Sequence, residues 1–153
     1  MLVCDTSAFI NGRRDHFLPS IVPTIWTHIE VSIDDGRIIV PREVFRELTE
    51  KDDEIAEWIR RRSGAVVEPS ETVQTRPGFF RASFPKPNLR NAADPFILAE
   101  AESRGFTVVT YEGRTFRGVP TTNWVRTMPG ICKHFGIACC TLPEALEMLG
   151  ISL

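Results

Sequence analysis

No stretch of the 153 residues is apolar for anything near the ~18–20 positions that span a bilayer, so no membrane-crossing helix is expected. The opening MLVCDTSAFI has an acid at position 5 and no basic region ahead of an apolar run. It does not read as a signal peptide, and a cytoplasmic location is expected. Neither charge is in excess: 18 basic and 20 acidic residues leave a net −2. A protein that coats polyanions generally would be strongly basic, so any nucleic-acid role has to come from local patches. Cysteine is sparse, at Cys4, Cys132, Cys139 and Cys140, with no CxxC pair. These spacings suit neither structural zinc nor a disulfide framework, which leaves reduced, mostly buried thiols. The histidines, His16, His28 and His134, stand isolated, and no nucleophile-elbow motif supports a Ser-His-Asp hydrolase. There is no internal repeat and no low-complexity tract.

What is present is ordinary globular composition, 42% apolar and 25% charged, in a length that fits one domain over 1–153. Leu2-Val3-Cys4 is a short apolar run followed at once by Asp5-Thr6-Ser7, the pattern of a first buried strand in a parallel sheet. Residues 12–20 read as loop. Pro23 then opens a helix to about Ile33, with Ile25, Trp26, Ile29 and Ile33 at helical spacing. Strands are expected at 37–40, 65–67, 106–110 and 137–141, and an edge strand at 119–122. Helices are expected from Pro41, from Asp52 to about Gly64, from Asp94 to Arg104, at 129–136 and at 143–149. Residues 69–91 hold four prolines without clear periodicity and read as a long irregular segment. This alternation predicts an α/β class: a three-layer α/β/α sandwich on a mostly parallel sheet.

Ligands of open α/β sheets gather at the carboxyl ends of the strands. Asp5 follows the first strand, and Glu112 follows Phe106-Thr107-Val108-Val109-Thr110. Asp94 starts a helix over the same edge, and Glu47 lies in the helix after the second strand. Each acid has a plainer reading: Asp94-Pro95 is a good capping pair, and Glu47 sits among Glu43 and Glu50 as a solvated charge would. Together they suggest more, because clustered carboxylates repel unless a cation lies between them, and hard oxygen ligands select Mg²⁺ or Mn²⁺.

Four segments in order resemble the PIN domain, the metal-dependent ribonuclease fold of VapC-type toxins, and more narrowly a PIN-like family of bacteria and archaea. They are Cys4 to Ile10, Pro41 to Leu48, Ala93 to Ala99 and Val108 to Glu112; the tail Pro129 to Gly136 is typical of the narrower family. The resemblance implies that Asp5, Glu47 and Asp94 hold Mg²⁺ or Mn²⁺, that Glu112 completes the catalytic site, and that Ser7 or Thr110 binds a metal water or a phosphate. PIN sites usually carry Asp where Glu112 stands and often Asn where Ser7 stands. The implied partners are RNA, a cognate antitoxin protein and a second copy of the chain.

Charge segregation points the same way. Residues 72–93 contain Arg76, Arg81, Lys86 and Arg90 and no acid; residues 113–143 contain Arg114, Arg117, Arg126 and Lys133 and no acid. Phe79, Phe80, Phe84, Phe116 and Trp124 are interleaved, which suits a backbone groove with stacking surfaces for single-stranded RNA. The plainer account makes the aromatics core and the arginines solvated. Arg60-Arg61-Arg62 ends a helix and suits its dipole. The expected function is a metal-dependent endoribonuclease, the toxin of a toxin–antitoxin pair. The alternative is a catalytically weak PIN-like module that binds RNA or a protein. A receiver-like phosphoacceptor lacks its acidic pair and its late lysine here.

Overall fold

The computed structural model describes residues 1–62, 64–83, 93–113 and 127–151. Five strands, β1 (Leu2–Cys4), β2 (Ile38–Pro41), β3 (Val66–Val67), β4 (Thr107–Val109) and β5 (Cys139–Cys140), form one sheet in the order β3-β2-β1-β4-β5. Every pairing is parallel; β1 runs beside β2 with Val3 opposite Ile39, and beside β4 with Cys4 opposite Val109. Strands covered on both faces must be apolar throughout, and β1 and β2 are buried at every position.

Right-handed crossovers decide where the helices go. The chain steps outward from β1 to β2 to β3, returns to β4 beside β1, then steps outward the other way to β5. The first two connections carry α1 (Thr6–Asn11), α2 (Pro23–Asp34), α3 (Arg42–Lys51) and α4 (Asp53–Arg60). Trp58 on α4 meets Phe9 of α1 and Trp26 of α2 edge-on, at 6.1 and 5.4 Å between ring centroids, so these helices share one face. The later connections carry α5 (Glu71–Ser83), α6 (Asp94–Arg104) and α7 (Met128–Phe135). Phe79 and Phe80 of α5 pack on Phe135 of α7. The last helix, α8 (Leu142–Met148), follows β5. The expected α/β sandwich is therefore the architecture observed.

Local chemistry explains most boundaries. Asp52 caps α4 by accepting the Ile55 N–H at 3.1 Å, as its position before the apolar stripe predicts, and such a cap contributes about 1 kcal/mol. Two readings are corrected. Residues 12–20 are not all loop: Gly12–His16 continue α1 as a π-helical turn. A Cβ on Gly12 would lie 2.6 Å from Leu142 Cδ2, so the first residue of α8 packs its side chain against this turn. Residues 69–91 are not uniformly irregular either, because Glu71–Ser83 form α5, with Val73, Pro77 and Phe80 buried at i, i+4 and i+7. The edge strand expected at 119–122 lies outside the described residues. Cys4, Cys132 and Cys140 are buried and all four thiols are free. Burial pushes the Cys4 thiol far up, so it is a packing group and not a nucleophile. Arg60 and Arg61 pair with Glu57, and Arg62 with Glu30 and Asp34. No helix among the described residues is long and apolar enough to cross a membrane.

Candidate functional site

The sheet order reverses between β1 and β4, and the crevice outside their carboxyl ends is where open α/β sheets bind ligands. Asp5 leaves β1 there and Thr110 leaves β4. The Asp5 N–H still donates to Val109 O at 2.9 Å, and its carboxylate crosses to the neighbouring strand, where Thr110 Oγ1 donates to Oδ2 at 2.7 Å. Ser7 Oγ, in the first turn of α1, donates to the same oxygen at 2.7 Å. The two hydroxyls are 3.0 Å apart. Each has one proton, so when both donate to Asp5 the 3.0 Å contact closes a triangle without being a third bond. Their lone pairs accept the next two backbone donors, Tyr111 N–H at Ser7 and Glu112 N–H at Thr110, each at 3.0 Å. Asp5 is thereby locked, and its other oxygen, Oδ1, is buried without a hydrogen-bond partner.

Glu47 reaches the same edge from the second turn of α3. Its Oε2 accepts Thr6 Oγ1 at 2.9 Å, and its Oε1 accepts the Ala93 N–H at 3.1 Å. Thr6 adjoins Asp5 and Ala93 adjoins Asp94, so one glutamate joins the chain positions beside both aspartates. Lys51 Nζ lies 3.4 Å from Glu47 on the solvent side. Asp94 is the first residue of α6, directly after the N-cap Ala93, whose N–H Glu47 accepts. Asp5, Glu47 and Asp94 are 3%, 8% and 2% exposed. Three acids this buried are uncommon unless paired or ligating. The Asp5 carboxyl is raised above its ordinary range first by burial and further by the Glu47 charge, against the lowering effect of the Ser7 and Thr110 hydrogen bonds.

These residues fit a hard divalent cation. The donors are carboxylate oxygens, one buried oxygen is unused, and the local charge is negative. Among the described residues no group of three or more His, Cys, Asp and Glu side chains is placed to hold a metal ion. Mg²⁺ does not need one, because it retains several waters and is held by one or two carboxylates.

The remaining predicted residues divide. Glu112 follows β4 as expected, and its Oε2 accepts the Met128 N–H at 2.7 Å. Arg76 makes two bonds to Glu102 on α6, at 2.5 and 2.7 Å, and lies 3.8 Å over the Phe79 ring. Its acid-free stretch of sequence is thus answered by an acid from the next helix. Arg81 lies over Phe96. Phe80 is wholly buried, whereas Phe79 is 43% exposed. Lys86, Arg90, Arg114 and Arg117, with Phe84, Phe116 and Trp124, lie outside the described residues.

Sequence reasoning missed three features. Thr6 was passed over between two noted neighbours, although the position after a strand-end acid is where a hydroxyl meets the next layer. His16 is not isolated: its ring stacks on Tyr111 at 4.6 Å. The third is a set of cations: Arg13, Arg14 and Lys51 line an open cleft of about 740 Å³ together with Asp52, Asp53 and Glu54, and Lys51 pairs with Glu47. Arg14 is bound to Asp52 at 2.7 Å, and Arg13 lies over the rings of Trp26 and Trp58. The adjacent arginines in a supposed loop were the available signal.

A chain in the solved structure of FitAB bound to the IR36 DNA fragment superposes with a TM-score of 0.55 at 16% identity, over 92% of this chain and 94% of that one. The likeness is one of fold, and that fold is PIN-like, as the four sequence segments imply. No curated protein matches the sequence. The family described as Domain of unknown function (DUF4411) matches residues 2–153, and this chain belongs to that family.

Proposed function

We propose that this chain is a metal-dependent ribonuclease of the PIN-like class, working as the toxin half of a toxin–antitoxin pair. The observation that carries the reading is the bridge made by Glu47, which draws together the chain positions of Asp5 and Asp94 around an unpaired buried carboxylate oxygen. Asp5, Glu47 and Asp94 would hold Mg²⁺ or Mn²⁺. When bound, the ion supplies charge neutralisation at a phosphodiester and a more acidic water.

The rest is work for the chain's own residues. Ser7 and Thr110 fix Asp5 with Oδ1 free, a positioning role in place of direct phosphate binding. Thr6 fixes Glu47 in the same way, and Lys51 screens its charge on the solvent side. Burial by α1, α3 and α6 limits water around the acids, which strengthens each electrostatic contact. The solved neighbour is a FitAB assembly on DNA, which supports a protein partner for this chain.

The test incubates wild type and Asp94→Asn with a mixed RNA pool in Mg²⁺ or Mn²⁺, with and without EDTA. Wild type cleaves, EDTA stops it, and Asp94→Asn is slower by roughly 100-fold or more, at least what the loss of an outer partner of a metal site costs. Absence of cleavage with salt-sensitive RNA binding would favour the alternative, a non-catalytic module. The observation on that side is the Glu112 carboxylate engaged with Met128.

A further inference from the structure

Glu112 stands where the resemblance puts the fourth PIN acid, and its side chain reaches the start of the next helix. Its Oε2 accepts the N–H of Met128, the first residue of α7, at 2.7 Å. That N–H is one of the donors a helix start leaves without an intrahelical partner. The neighbouring residue strengthens the contact. Gly113 has φ +65°, and a Cβ placed there would lie 2.3 Å from Thr127 Oγ1 and 2.8 Å from both Thr127 carbons. Residues 112–113 and 127–128 therefore touch on both sides, backbone against side chain. The thirteen residues between them, 114–126, include Arg114, Arg117 and Arg126 and no acid. The residues that flank this basic segment, Gly113 and Thr127, meet just after β4. The same junction connects to the acid site: Glu112 N–H donates to Thr110 Oγ1, and Thr110 Oγ1 donates to Asp5 Oδ2.

We propose that Glu112 is a positioning residue, a clamp between the end of β4 and the start of α7 that fixes Thr110 and through it Asp5. A metal ligand needs a charge at the right distance, whereas a clamp needs an acceptor at the right reach. The departure from Asp to Glu at this position then has a physical reason: Asp is shorter by one C–C bond, about 1.5 Å, and falls short of the Met128 N–H. The affinity arm of the test rests on the metal reading given above; the exchange arm does not.

The experiment compares wild type, Glu112→Gln, Glu112→Asp and Glu112→Ala. Hydrogen exchange is followed over the peptide starting at Thr127, and Mn²⁺ affinity is measured by titration. Gln keeps a carbonyl of the same reach, so it retains wild-type protection at the α7 start and Mn²⁺ affinity within about twofold. Asp and Ala lose the bond, exchange about tenfold faster or more at that start, and bind Mn²⁺ more weakly by up to about tenfold, the scale for outer partners of a metal site. The opposite order overturns the clamp: Gln losing affinity tenfold while Asp retains it marks a ligand. Equal exchange in all four proteins also overturns it. If wild type binds no Mn²⁺, the ribonuclease reading fails by itself, and the exchange order alone decides the clamp.

Discussion

Asp5 concentrates the tension of the site in one residue. A carboxylate with two hydroxyl donors on one oxygen and none on the other is held firmly but under-neutralised. Its pKa is raised by burial and by Glu47, so the fold prefers its protonated form. The consequence for stability has a definite sign. Its contribution is fully present below the ordinary 3.8 and is lost as pH rises through the raised value. Without a divalent cation, Asp5→Asn should therefore gain melting temperature relative to wild type as pH rises from 3.8 upward. Added Mn²⁺ should reverse the gap by raising wild type alone, since the ion binds the folded carboxylate. Parallel melting curves of the two proteins against pH, with and without Mn²⁺, check both statements; a constant gap would contradict them. The acids themselves were legible, because a short apolar run ending in Asp-Thr-Ser marks a strand end. Their partners were not, because Thr6 meets Glu47 across 41 residues of chain and Ala93 meets it across 46.

At the scale of elements, the strands and most helix boundaries could be read from local chemistry. Asp52 as a cap and Gly105 as a stop are examples. The helix α5 could not, because four prolines hid it. Pro77 removes one backbone donor from the helix, but it is buried with Val73 and Phe80 in a stripe of helical period, and tertiary burial outweighs the lost bond. The split between Phe79 and Phe80 follows. Phe80 is fully buried against Phe135, so Phe80→Ala should cost about 3–5 kcal/mol. Phe79→Ala should cost roughly 1 kcal/mol or less in urea unfolding, since its ring is partly exposed. Equal losses would mean that the helix faces the other way. The π-helical turn was invisible for a related reason: Gly12 packs against Leu142, 130 residues away, and nothing in its own neighbourhood shows it.

For the whole molecule, topology explains why a nearly neutral chain carries an acidic centre. The order β3-β2-β1-β4-β5 puts β1 and β4 together at the reversal, and the acids of α3 and the start of α6 come to it from neighbouring connections. The overall charge of −2 says little about such a molecule, because Arg76 is spent on Glu102 and Arg14 on Asp52, while Lys51 stands beside Glu47. The most direct test of this account is a calorimetric titration of Mn²⁺ into wild type, Asp5→Asn and Asp94→Asn, each verified as folded by circular dichroism. The account predicts binding by wild type and affinities lower by about tenfold or more in both variants. Folded wild type that binds no Mn²⁺, or three equal affinities, would contradict it.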